Sequence, residues 1–151
     1  MMEFKTIDDI LDFAIQSEQD AVDFYNELAA NAKSSDMREV FEQFAREEIS
    51  HKARIKKVKE EGVFEVEKEE IADLHISDYV VNVKPYPDMS YQDALVVAMN
   101  KEKAAFKLYM KLSERAPSKD LSDLFMALAI EESRHKLRFE LEYDEHVLRE
   151  N

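Results

Sequence analysis

The sequence predicts an all-α protein: a four-helix bundle with a long crossover between helices two and three and a pseudo-twofold internal repeat. Only one glycine and three prolines occur in 151 residues, and the abundance of Ala, Leu, Glu and Lys favours long helices over sheet. Apolar residues recur at alternating steps of four and three along four stretches, which indicates one buried stripe per helix. The second half also repeats the first without a gap, 84 positions later, as His135 repeats His51.

The starts and ends of the four helices are predicted from capping signals. Thr6 and Ser90 begin Ser/Thr-x-x-acid capping boxes, and Asp36 and Asp120 are the predicted N-caps of the second and fourth helices. Gly62 is expected to end the second helix. The predicted helices span about residues 7–32, 36–61, 91–115 and 120–149.

The length of the chain suits a single domain, residues 1–151, with one hydrophobic core. Its repeated halves are about 7–61 and 91–149, and residues 62–90 form the crossover. Such a long connection is typical of bundles with one crossover rather than of adjacent antiparallel helices. We expect a short helix near residues 69–80 to cap the bundle, and we expect His75 to be solvated or to have a local structural role.

Each apolar stripe is interrupted at its middle by Glu, or by Glu and His three residues later. The six interrupting residues are Glu18, Glu48, His51, Glu102, Glu132 and His135. A buried carboxylate without a partner costs several kcal/mol, and no stripe position carries a basic residue. Two divalent cations would balance four carboxylates with two neutral imidazoles, so the pattern predicts a two-metal site.

The donor set of carboxylate oxygen and imidazole nitrogen suits iron or manganese and tolerates zinc. We expect Glu18 and Glu102 to be terminal ligands, Glu48 and Glu132 to bridge the metals, and one histidine to bind each metal. The adjacent acids Glu47 and Glu131 lie off the stripes. They are interpreted as surface residues or as residues that support the ligands.

Composition argues against several other classes of protein. The absence of cysteine excludes disulfides, thiolate metal sites and cysteine nucleophiles. A formal net charge of −13 disfavours nucleic acid and anionic membrane surfaces as partners. No stretch reaches the length of a membrane helix, and the acidic N-terminus does not resemble a signal peptide. A cytoplasmic location is therefore expected.

The two Glu-x-x-His motifs, each with a Glu on the preceding helix, resemble the rubrerythrin branch of the ferritin-like di-iron carboxylate proteins. The resemblance covers nearly the whole chain and implies two irons held by the six residues named above. It also implies that Tyr25 and Tyr109 hydrogen-bond to metal-bound carboxylates, although aromatic core packing explains them equally well. Two departures stand out: the chain has no rubredoxin domain with its cysteines, and Ala105 replaces a second Glu that many members carry.

The resemblance implies a non-haem di-iron oxidoreductase that reduces hydrogen peroxide or dioxygen with electrons from an external donor such as a rubredoxin-like protein. Two alternatives stay open: a ferroxidase or iron-handling protein, and a non-catalytic metal-binding bundle. Di-iron hydroxylases of organic substrates share the ligand pattern but need a substrate pocket. By analogy with the family we expect a homodimer, for which Tyr79, Val80, Val81 and Val83 offer an apolar patch.

Overall fold

The computed structural model describes residues 4–32, 34–66, 71, 79 and 89–150, with side chains as far as Leu148. These residues form a four-helix bundle and contain no strand. The helices are α1 (Ile7–Ala30), α2 (Ser35–Glu61), α3 (Tyr91–Arg115) and α4 (Lys119–Glu150). In the described part of the chain, no helix is both long and apolar enough to cross a bilayer.

Serine or threonine side chains cap the start of every helix. Thr6 forms a complete capping box with Asp9, and Ser90 accepts the backbone N–H of Asp93. The predicted caps Asp36 and Asp120 are wrong, because both lie inside the first turn of their helices, where their charge favours the positive end of the helix dipole.

The caps of α2 and α4 come a little earlier in the chain than predicted. Ser34 accepts the N–H of Met37, and Ser118 accepts the N–H of Leu121. Gly62 ends α2 as predicted, in the left-handed conformation at φ 62°, which costs glycine little because it has no Cβ.

The helices pack as two hairpins. The connections within each hairpin, residues 31–34 and 116–118, are short, so α1 runs antiparallel to α2 and α3 antiparallel to α4. The main helix contacts follow this pairing, and α1 also packs against α3.

The apolar core is divided into two clusters. One cluster contains Leu11 of α1 and Ile55 of α2, before Glu18 and after His51 in the chain. The other contains Tyr25 and Phe41, which lie on the opposite side of those polar residues in both helices. The polar residues of the four stripes therefore form a layer between two apolar halves.

Several expectations for the crossover concern residues that the structure does not describe. His75, Val80, Val81 and Val83 lie outside the described residues, and of the expected helix near 69–80 only Ile71 and Tyr79 are described. Both of these side chains are buried against the first apolar cluster. Tyr79 is therefore not part of a surface patch, because its ring packs against the apolar core of its own chain.

His146 packs against the bundle instead of extending into solvent. Its ring is half-buried and meets the ring of Tyr91 edge-on, with centroids 5.4 Å apart. The residue lies on the flank of α4 that contacts the start of α3, and the pattern of a single helix does not show that contact.

Replacing either Ser34 or Ser118 with alanine is expected to lower the free energy of unfolding by about 1 kcal/mol, because each change removes a side-chain acceptor from a helix N-terminus. Urea unfolding measures the loss. Ser35→Ala, in the first turn of α2, is the matched control and is expected to change stability little. Equal losses in Ser34→Ala and in the control would show that the cap is not the cause.

Candidate metal centre

The six residues that interrupt the apolar stripes meet in one layer of the bundle. Glu18 comes from α1 and Glu102 from α3, and α2 and α4 each contribute one Glu-x-x-His pair. None of the six residues is more than 2% exposed. Each helix presents its residues inward because they occupy the same stripe as its core residues, so the packing that buries the stripes also buries these groups.

Potential ligand atoms form two overlapping groups. One group combines Glu18 and His51 with Glu48 and Glu132, and the other combines Glu102 and His135 with the same two glutamates. Within each group the atoms lie within 4.8 Å of one another. Metal–ligand bonds of about 2.0–2.2 Å place the ligands of one ion within roughly 4.4 Å of one another. The spacing of the potential ligand atoms in each group is close to this limit and therefore suits a metal.

Two close approaches within the layer join a histidine Nδ1 to a glutamate of the opposite half. His51 Nδ1 lies 2.7 Å from Glu132 Oε1, and His135 Nδ1 lies 3.0 Å from Glu48 Oε1. Glu18 Oε2 and Glu102 Oε2 are each 3.7 Å from the Nδ1 atom of their own group. The two groups are thus near copies of each other, as the repeat requires.

All six side chains have one buried polar atom without a hydrogen-bond partner. These atoms are Glu18 Oε2, Glu48 Oε1, His51 Nδ1, Glu102 Oε2, Glu132 Oε1 and His135 Nδ1. A buried polar atom without a partner costs about 1–3 kcal/mol, more if charged. Six of them facing one another are unfavourable unless a cation binds there, because a cation satisfies carboxylate oxygens and imidazole nitrogens together.

In the part of the chain that the structure describes, no basic side chain takes the place of such a cation. Among the described residues, no lysine or arginine forms an ion pair with any of the four buried glutamates. The donor set contains oxygen and nitrogen but no sulfur, which suits iron or manganese. The residues present therefore fit a metal centre.

Each histidine is held from outside the layer by a glutamate of the other hairpin. His51 Nε2 hydrogen-bonds to Glu131 of α4, and His135 Nε2 hydrogen-bonds to Glu47 of α2. An ionised carboxylate only accepts, so the ring proton lies on Nε2 and directs Nδ1 into the layer. Glu47 and Glu131 are 40% and 39% exposed, so they are both surface residues and supports for the histidines.

Two tyrosines make a second pair of crossed contacts. The Tyr25 hydroxyl of α1 donates to Glu102 of α3, and the Tyr109 hydroxyl of α3 donates to Glu18 of α1. Each tyrosine is also fully buried in an apolar cluster. Each ring thus packs in the core while its hydroxyl holds a buried carboxylate.

The layer favours protonated side chains when no cation compensates its charge. Burial, followed by repulsion from neighbouring glutamates, raises the pKa of Glu48 and Glu132 well above the usual range. Burial by itself would lower the pKa of the histidines, but neighbouring carboxylates raise the pKa of His51 and raise that of His135 to about 11. The pKa of Glu102 is lowered: burial opposes ionisation, but the neighbouring Glu132, His135 and Tyr25 side chains stabilise the ionised carboxylate more strongly.

A cavity of about 540 Å³ opens between α1 and α3 and reaches this layer. Its inner end is formed by the four buried glutamates, and neither His51 nor His135 lines it. Small side chains, Ala21 and Ala105, flank the glutamates on the cavity side. Sequence reasoning did not predict the cavity, because it depends on the distance between two helices that are not neighbours in the chain.

A search against models of protein families matches the rubrerythrin family over residues 9–90 and 93–150. The chain belongs to the rubrerythrin family. No curated protein and no solved structure matches it significantly. Members of this family bind iron, and the buried glutamates and histidines of this chain form groups that could hold a metal.

The metal-free protein is expected to become less stable as pH rises. Glu48, Glu132, His51 and His135 all have raised pKa values, so the folded chain holds protons that the unfolded chain releases above about 4.5 for Glu and 6.5 for His. Glu102, with its lowered pKa, contributes in the opposite sense.

Thermal unfolding of chelator-treated protein between about pH 5.5 and 8.5 measures this loss. Metal-loaded protein is the comparison. The difference between its melting temperature and that of the metal-free protein is expected to grow with pH, because metals and protons compete for the same atoms. A metal-free melting temperature that rises over this interval would contradict the expected charge state of the layer.

Replacing Glu131 with glutamine is expected to weaken metal binding 10- to 100-fold, because His51 loses the charged acceptor that fixes its ring. Glu47→Gln is expected to act equally on His135, as the repeat requires. Chelator competition measures the affinity. Glu140→Gln removes one charge from α4 at a residue paired with Lys136, and an equal effect in this control would show that net charge is the cause.

Proposed function

We propose that this protein is a di-iron oxidoreductase that reduces hydrogen peroxide or dioxygen with electrons from an external donor. The observation that supports it most is the set of six unpartnered buried atoms, arranged in two groups that share Glu48 and Glu132. Two ions with shared bridging carboxylates would produce this arrangement. Glu18 with His51 and Glu102 with His135 would then complete one ion each.

The chemistry supplied by a bound pair of ferrous ions is the transfer of two electrons to one oxidant. Reduction of hydrogen peroxide by two electrons and two protons gives two molecules of water. The protein's contribution is to hold the ligands in place and to shield the histidine side of the layer from water. Phe41, Phe125 and Leu128 are fully buried beside the layer, and Phe44 stacks on the His135 ring at 4.0 Å.

The crossed hydrogen bonds support a fixed ligand geometry. The Tyr25 and Tyr109 hydroxyls each donate to one carboxylate, Glu102 or Glu18, which leaves the other oxygen without a partner and would allow it to bind a metal. Because each of these bonds joins α1 to α3, the two hairpins are aligned at the level where the oxidant would react. Reduction back to the ferrous state requires an outside donor, since the described residues contain no second candidate redox centre.

A ferroxidase or iron-handling protein is the second candidate, and the acidic cavity that opens onto the layer favours it. In that case iron is a substrate that binds, is oxidised and leaves. Turnover of added Fe²⁺ well beyond two ions per chain would favour this function. Peroxide consumption with a supplied electron donor, without such iron turnover, would favour the oxidoreductase.

Elemental analysis of natively purified protein, followed by anaerobic Fe²⁺ loading and mixing with hydrogen peroxide, tests the main proposal. We expect two irons per chain and the oxidation of both by one peroxide. Redox-inert zinc in the native protein, with no peroxide reaction after iron loading, would support the non-catalytic metal-binding bundle instead.

Replacing both Glu48 and Glu132 with leucine is expected to abolish binding of a metal pair while raising the stability of the metal-free protein. Replacing buried charged groups with apolar groups of similar volume often raises the free energy of unfolding by about 1–4 kcal/mol. Metal analysis and urea unfolding measure the two effects. The Glu48→Gln, Glu132→Gln double variant removes the charge but keeps the polar group, and it serves as the comparison. Two metals retained in the leucine variant would refute the bridging roles.

A further inference from the structure

We propose that divalent cations reach the buried layer through the cavity between α1 and α3, guided by three acids on the rim. These residues, the rim acids, are Asp20, Asp23 and Glu27 of α1. The inference rests on the proposed metal centre, and it adds a route and a set of residues that act before any metal is bound.

The cavity joins the solvent to the unpartnered atoms. Its outer part is lined by the exposed rim acids, and its inner end by the four buried glutamates. Glu18 and Glu102 each contribute an oxygen that has no hydrogen-bond partner. A cation entering here would therefore meet carboxylates at the surface and again at the base.

The opposite side of the layer is covered. There the two histidine rings present their Nε2 atoms to Glu131 and Glu47, which occupy the space between α2 and α4. Both rings would have to break these bonds before an ion could pass. On the α1–α3 side, the cavity already extends from the surface to the four glutamates of the layer.

The rim acids are not a requirement of the fold, as the internal repeat shows. At the equivalent positions of α3 the chain has Ala104, Lys107 and Lys111. The same helical architecture is thus built with neutral and basic residues there. On α1 the acids lie three and four residues apart, a spacing at which like charges destabilise a helix. A role in attracting cations accounts for their presence.

Neighbouring glutamines orient two of the rim acids. Gln16 donates to Asp20 at 2.8 Å, and Gln19 donates to Asp23 at 2.9 Å. Each bond occupies one carboxylate oxygen, so a second oxygen stays available for a hydrated ion. Low-dielectric walls lined by one sign of charge concentrate counter-ions and raise association rates 10- to 1000-fold.

Lys101 opposes this field from the α3 side. Of the described residues that line the cavity, it alone is basic. Its ammonium lies 5.7 Å from the Phe24 ring centre. Lys101 therefore slows cation passage in this scheme, and Lys101→Gln is expected to speed it.

Stopped-flow binding of Co²⁺ to the metal-free protein tests the route. The chain has no tryptophan and six tyrosines, so Co²⁺ binding is followed by the part of the tyrosine fluorescence that is quenched, to which Tyr25 and Tyr109 beside the layer contribute. The Asp20→Asn, Asp23→Asn, Glu27→Gln triple variant is expected to bind about tenfold more slowly at low salt, with less difference at high salt. Its equilibrium stoichiometry is expected to be unchanged.

The matched control removes three exposed acids of α2 that do not line the cavity, as the Glu39→Gln, Glu42→Gln, Glu60→Gln variant. Equal slowing in both variants would mean that net charge alone acts, and the route would be wrong. A second test narrows the passage with Ala104→Phe, against Ala53→Phe on the exposed face of α2. Unchanged rates in the triple variant and in Ala104→Phe would overturn the route.

These outcomes are distinct from failure of the metal centre itself. If the unaltered protein binds no Co²⁺ at equilibrium, the proposed centre fails and the route fails with it. If it binds Co²⁺ fully while the cavity variants load at the normal rate, only the route is refuted.

Discussion

The structure depends on placing four carboxylates in one buried layer of a helical bundle. Glu18, Glu48, Glu102 and Glu132 are each at least 98% buried, where an uncompensated charge costs several kcal/mol. Without a cation, the layer is balanced only by protons, as the raised pKa values of Glu48 and Glu132 indicate. The two apolar clusters on either side must provide the stability that this layer removes.

The crossed contacts explain how such a layer keeps its geometry. Every supporting hydrogen bond joins one hairpin to the other: Tyr25 to Glu102, Tyr109 to Glu18, and each histidine to a glutamate of the opposite hairpin. Neither hairpin can orient its own ligands. The layer is therefore complete only when both halves of the repeat are packed together, which links its geometry to the fold.

The internal repeat also separates what the fold needs from what is specific to this chain. Both halves place their caps, their buried stripes and the polar residues of the layer at equivalent positions, so these positions belong to the architecture. The halves differ around the α1–α3 cavity, where acids on α1 correspond to an alanine and lysines on α3. Ala105, next to Glu102, corresponds to Ala21 next to Glu18, and two small residues in equivalent positions keep both sides of the cavity open.

The sequence by itself determined the four helices and the polar residues that face their common interior, because helical periodicity and capping are local properties of the chain. The repeat at a step of 84 positions also showed which residues of the two halves are equivalent, such as Glu48 and Glu132. Only the tertiary structure decided which helix supports which ligand. Glu131 lies four residues before His135 in its own helix but bonds to His51, a partner set by the packing of α4 on α2. The cavity, the burial of Tyr79 and the contact of His146 with Tyr91 likewise arise between elements distant in sequence, where a one-helix pattern carries no information.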